Sequence, residues 1–169
     1  DVFSFSYRGQ PWVAHEWLSE AVMALAYNAA GWRGLNLLFA LAGGATALLI
    51  GRELLRWLPL RWALCVLFTI AQLLSPTALA RPHMLAWPLL AGWLLLLLHA
   101  REGRRAPHPA AALIMLAWVN CHASYILGRE LAAPFVGEAV VRRQYSPHAF
   151  GRWHLFLIIS AACACITPH

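Results

Sequence analysis

Four short polar clusters interrupt an otherwise apolar chain, and each holds side chains able to bind or transfer a charge: Asp1 with His15 and Glu16, Arg81-Pro82-His83, Asn120-Cys121-His122, and Thr167-Pro168-His169. A carboxylate beside an imidazole can take a proton from a hydroxyl or hold a divalent cation such as Mg or Mn, so Glu16, Asp1 and His15 are the candidate catalytic groups. The plainer alternative for His15 and Glu16 is an interfacial helix that shows water its polar face. Arg81 before Pro82 fits a phosphate clamp, because guanidinium forks match phosphate oxygens, and it equally fits a snorkelling residue at a helix junction. His83 supports either role. Asn120 and His122 flank a break in an apolar stretch, where freed backbone groups need partners; they serve either ligand contact or internal hydrogen bonding. The candidate substrate-binding residues are therefore Arg81, His83, Asn120 and His122.

The elements that must position these groups are membrane helices. The 169 residues are 61% hydrophobic and 12% charged, against about 45–50% and roughly 25% in a soluble domain. The apolar residues cluster in runs near the roughly 17–25 positions that cross a bilayer as a helix. Without water at that depth each backbone N–H must pair internally, and continuous runs without two-residue alternation favour helices over a barrel. The expected fold is all-α, a polytopic transmembrane bundle of about six short helices plus one interfacial amphipathic helix.

The formal charge of +6 rests on Arg alone. Most of these residues lie between apolar runs rather than in one patch, a topology signal and not a nucleic-acid footprint. Arg52, Arg56 and Arg61 share one connection, Arg101, Arg104 and Arg105 a second, and Arg142, Arg143 and Arg152 a third. The positive-inside rule makes those connections cytoplasmic and brings the polar clusters together on the opposite side. Cys65, Cys121, Cys163 and Cys165 lack the spacing of a disulfide framework or zinc site, and the Cys163-Ala164-Cys165 pair reads as packing.

Along the chain, residues 1–33 read as an outer loop carrying a helix that Pro11 opens and Gly31 ends. On that helix His15, Glu16, Ser19 and Glu20 share a polar face, with Val13, Trp17, Leu18, Ala21, Val22 and Leu25 as apolar cover. Residues 34–169 form the membrane bundle, with runs at 34–50, 62–79, 84–99, 110–120, 126–141 and 153–166. Several runs are short, and the pair around 120–124 is the best candidate for a re-entrant hairpin. Arg129 and Glu130 are expected toward the bundle interior, with Arg129 paired to Glu130 or Glu138. The polar start at Asp1 and the stop at His169 directly after an apolar run lead us to expect a piece of a longer protein, truncated at one end or both.

The stretches Asp1-Val2-Phe3-Ser4-Phe5-Ser6, Gly9-Gln10-Pro11-Trp12-Val13-Ala14-His15-Glu16-Trp17-Leu18, Arg81-Pro82-His83 and Trp118-Val119-Asn120-Cys121-His122 together resemble a bacterial membrane family related to GT-C glycosyltransferases. Thr167-Pro168-His169 occupies the place of an Asn-Pro-Tyr-like turn, so the resemblance covers nearly the whole chain. It implies a multi-pass inner-membrane enzyme that takes a sugar from a polyprenyl-phosphate carrier and transfers it at the extracytoplasmic face. Such enzymes carry an acidic residue on a long first outer loop; the first transmembrane helix and the acid-rich start of that loop are not in this sequence, and Asp1 or Glu16 is the stand-in. On this reading the carboxylate is the base, Arg81 with His83 and His122 stabilises the departing lipid phosphate, and the partners are membrane lipid and the lipid-linked donor, with a divalent cation optional. The rival readings are a transporter or polysaccharide-export component, and a scaffold whose outward polar residues only join its helices.

Overall fold

The computed structural model describes residues 14–142 and 147–167. Among these residues every regular element is helical. The order is α1 (Trp17–Trp57), α2 (Leu60–Leu74), α3 (His83–Glu102), α4 (Ala112–Cys121), α5 (Tyr125–Arg142) and α6 (Pro147–Ala164), with single 3-10 turns at Ser75–Thr77 and Pro109–Ala111. Trp17–Trp57, Leu60–Thr77 and His83–Glu102 are long and apolar enough to cross a membrane, while Pro109–Cys121 and Ala149–Ala164 are shorter. Large apolar side chains such as Leu37, Leu41, Leu48, Phe68, Leu73 and Ile158 stay exposed along these helices, far more than water tolerates in one contiguous surface.

α1 is two helices joined at a break. Ala30 (φ −150°, ψ 21°) and Gly31 (φ 59°, ψ −141°) leave the helical region, and the Gly31 values suit only a residue without Cβ. The chain turns so sharply there that a Cβ on Gly34 would overlap the carbonyl oxygen of Ala26; a straight helix would hold those residues about 12 Å apart. Gly31 thus ends a separate arm, residues 17–29, before the long limb 32–57 begins. The start of the arm differs from the expectation: Ala14 to Glu16 are not helical, and Pro11 lies outside the described residues. Two of its side chains also depart from the expected faces, while His15 and Glu20 stay exposed and Leu18 and Val22 half-buried as expected. Ser19 is fully buried, whereas Leu25 is 70% exposed. Ser19 turns inward because a carbonyl partner waits there, and leucine loses nothing by facing lipid.

The packed centre is formed by α3, α4 and α6, where Trp93, Trp118, Trp153, Phe156, Leu97 and Met115 are fully buried. Trp93 stacks on Phe156 at 5.3 Å between ring centroids, and Trp153 meets the same ring edge-on at 6.2 Å. Lipid tails are as apolar as these side chains, so the cohesion comes from dispersion and from buried hydrogen bonds rather than from expelled water. Trp93 Nε1 supplies one such bond, to the Gly128 carbonyl oxygen of α5 at 2.8 Å.

One end of the bundle gathers the charged connections. Arg56 bridges Glu53 and Glu102 at 2.7 Å each, His99 Nε2 contacts Glu53 at 2.8 Å, and Arg101 Nη2 donates to Glu138 at 2.8 Å. The ends of α1, α3 and α5 are tied by these pairs, each worth about 0–1 kcal/mol at its exposure. Two sequence expectations change here. Glu138 pairs with Arg101 and not Arg129, and Arg129 and Glu130 are both exposed. α5 runs from the turn at 122–124 to the opposite end of the bundle, where Glu138 meets Arg101. α4 can be short because the connection before it folds back into the bundle, burying Ala106 and Pro107.

Replacing Gly34 by Ala forces a Cβ into the Ala26 backbone and is expected to cost about 1–3 kcal/mol, as overpacked sites do. Gly43→Ala, with open space around the added atom, should be close to neutral. Thermal melting of the detergent-solubilised protein compares the two.

Candidate functional site

The end of the bundle opposite the charged connections collects the polar clusters. It is built from the start of the α1 arm, the turn before α3, the α4–α5 turn and the residues after α6. Each contributes one anchored group.

Asn120, near the end of α4, is the junction. Its Oδ1 accepts from Trp17 Nε1 at 2.6 Å, and its Nδ2 donates to the carbonyl oxygens of Leu116 at 2.8 Å and Ile166 at 3.0 Å. One residue on, the Cys121 carbonyl oxygen accepts from Ser19 Oγ at 2.8 Å. Asn120 is 5% exposed, and both its amide hydrogens and its oxygen are engaged. It therefore acts as an internal tie between the arm, α4 and the segment after α6, the second of the two roles its sequence position left open. Trp17 and Ser19, the arm's side of this tie, differ from the sequence expectation of apolar cover and of a polar face, respectively. The available signal was chemical: an indole N–H and a hydroxyl in lipid both need an acceptor.

The arm brings Glu16 to His122. The carboxylate Oε1 lies 3.4 Å from His122 Nε2, with both side chains about 30% exposed. The ring orientation is set by the turn itself, because the Ser124 backbone N–H donates to His122 Nδ1 at 3.0 Å and Trp118 Nε1 donates to Ser124 Oγ at 3.0 Å. A ring nitrogen that accepts carries no proton, so the imidazole proton sits on Nε2 and faces the carboxylate. His122 thus orients Glu16, and Glu16 is the group left with acceptor capacity.

His83 stands beside them, its ring 6.1 Å from that of His122. Its Nε2 is 2.6 Å from the Thr77 carbonyl oxygen, which makes that nitrogen the donor and leaves Nδ1 as the second polar atom of the ring. Arg81 is exposed in the same turn. His15 is exposed at the base of the arm, and Asp1, Pro168 and His169 lie outside the described residues. The structure therefore brings Glu16, His83 and His122 together, holds Asn120 beneath them as a tie, and leaves Arg81 on the rim. Among the described residues no group of three His, Cys, Asp or Glu side chains is arranged to hold a metal, and all four cysteines are free thiols.

Apolar space adjoins this cluster. A cavity of about 530 Å³ between α1, α2 and α3 starts at Ala78, Ala80 and Met84, next to the Arg81 turn, and runs past Gly43, Thr46 and Ile50. A second, of about 390 Å³, shares Thr46, Ile50, Ile70, Leu74 and Trp87 with it and continues to Leu98. The groove exists because α2 leans on α1 and packs little against α3; Ala63 is its one buried residue.

Removing the Asn120 tie should loosen the arm. A double-mutant cycle of Trp17→Phe and Asn120→Ala, read by thermal unfolding in detergent, is expected to give a coupling of about 0.6–1.7 kcal/mol, the range of hydrogen bonds between membrane helices; additive effects would mean that the bond holds nothing. Comparison of the chain with protein-family models, with curated proteins and with solved structures found no match to any of them.

Proposed function

We propose that the chain belongs to a membrane glycosyltransferase of GT-C type, set in a bacterial inner membrane with its Arg-rich connections cytoplasmic, that moves a sugar from a polyprenyl-phosphate carrier to an acceptor hydroxyl at the extracytoplasmic face. The observation that carries this reading is the Glu16 carboxylate held 3.4 Å from the Nε2 of His122, at the end of the bundle where an apolar groove begins at Ala78, Ala80 and Met84.

In that reaction Glu16 accepts the proton of the acceptor hydroxyl as its oxygen bonds to the anomeric carbon. The bond from that carbon to the phosphate oxygen breaks, and its electron pair leaves with the lipid phosphate. Negative charge grows on the phosphate, and Arg81 on the rim supplies the opposing charge, with His83 beside it. His122, through its Nε2 proton, keeps the carboxylate turned toward the acceptor. The isoprenoid chain of the donor has apolar walls to follow from Ala78 and Met84 toward Ile50 and Leu98. A transport role would need a substrate path along the break near Asn120, and the engaged amide of that residue does not favour one.

The full-length protein assayed with lipid-linked sugars tests this mechanism. Glu16→Gln and Arg81→Ala are each expected to lower turnover by about 100-fold or more. Unchanged turnover in both variants would remove the mechanism, and solute flux into vesicles without any transfer product would replace it with transport.

A further inference from the structure

A third cavity lies at the opposite end of the bundle and takes no part in the reaction above. Its volume is about 630 Å³, and its rim carries His99, Arg105, His108 and Arg152 over an apolar wall that includes Leu49 and Leu95. No carboxylate lines it. The acids at that end are already committed, Glu53 and Glu102 to Arg56, Glu53 also to His99, and Glu138 to Arg101. Arg105 and Arg152 make no ion pair among the described residues. Two guanidinium groups from different parts of the chain, one in the connection after α3 and one on α6, therefore face one concavity with their charge unopposed.

From this arrangement we infer that the cavity is a binding site for the headgroup of an anionic phospholipid. A phosphodiester supplies the charge that Arg105 and Arg152 lack, with oxygens that suit guanidinium forks. His108 adds a ring donor at Nε2, since its Nδ1 accepts from the Ala110 backbone N–H at 3.2 Å. The apolar wall of Leu49 and Leu95 separates a lipid from a free anion. Soluble phosphate would leave that wall exposed, whereas an acyl chain covers it. Basic pockets between membrane helices take anionic headgroups by this combination of charge and apolar surface. Seated there, the lipid joins the 103–108 connection to the start of α6, a link that the charged pairs of α1, α3 and α5 do not make.

The test is native mass spectrometry of the full-length protein incubated with phosphatidylglycerol, with phosphatidylcholine, or with inorganic phosphate. Retention of phosphatidylglycerol over phosphatidylcholine is expected, and the variant Arg105→Gln with Arg152→Gln should lose about 30-fold in that preference, on the order of two surface charges. The control Arg52→Gln with Arg104→Gln, which removes the same net charge outside the cavity, should keep it. Equal losses in both variants, equal retention of the two lipids, or displacement of the lipid by millimolar phosphate would each overturn the site. If the first variant does not fold, photo-crosslinking of a diazirine-labelled phosphatidylglycerol to the unaltered chain decides: adducts within residues 92–108 and 149–156 support the site, and adducts confined elsewhere exclude it.

Discussion

A polar group that cannot reach water must find its partner inside the protein, and that requirement organises this bundle. Asn120 shows it most clearly. Its side chain satisfies an indole from the arm, a carbonyl of its own helix and a carbonyl beyond α6. Ser19 closes on the Cys121 carbonyl a few ångströms away. With the arm fixed at those two points, Glu16 has little choice but to face His122. The same requirement turns the Trp93 indole to Gly128 and the Trp118 indole to Ser124, so the aromatic centre and the polar mouth are locked by one kind of bond.

The backbone break at Gly31 makes this possible. A continuous helix from Trp17 to Trp57 would be about 60 Å long, twice the roughly 30 Å hydrocarbon thickness, and would carry Trp17 and Ser19 far past the bundle. Folding back at Ala30 and Gly31 returns them to the end of α4. α1 packs against α3 while α2 leans on α1 alone, and the apolar groove opens between them beside the Arg81 turn. The position of the polar mouth thus follows from a single reversal of the chain. At the other end the ionic pairs of Glu53, Arg56, His99, Glu102, Arg101 and Glu138 use up the carboxylates, which is why the Arg105 and Arg152 charges remain to be met from outside.

Much of this was legible in the sequence. Run length and composition define the helices, since each apolar run coincides with a helix of the structure, and Gly31 marks a break that only glycine accepts. The polar residues at run ends foretell the gathering of Glu16, His83 and His122, because alternating connections must sort to alternate ends. Side-chain direction was not legible. Ser19 and Leu25 exchange the faces that water would assign them, since periodicity says which residues share a face and not which solvent that face meets. Glu138 chose Arg101, 37 residues away in sequence, over the nearer Arg129; proximity along the chain carries no weight once helices pack side by side. Asn120 could serve ligand or fold until its three bonds were visible.

Sidedness is what all of these relations require. In a background with the native cysteines replaced, single substitutions Arg81→Cys, Ala123→Cys beside His122, and Arg104→Cys would be exposed in intact cells to a membrane-impermeant maleimide. Positions 81 and 123 are expected to label together from outside, with 104 protected until the membrane is permeabilised. Labelling of 81 and 123 from different sides of the membrane would separate Arg81 from His122 and contradict a shared mouth.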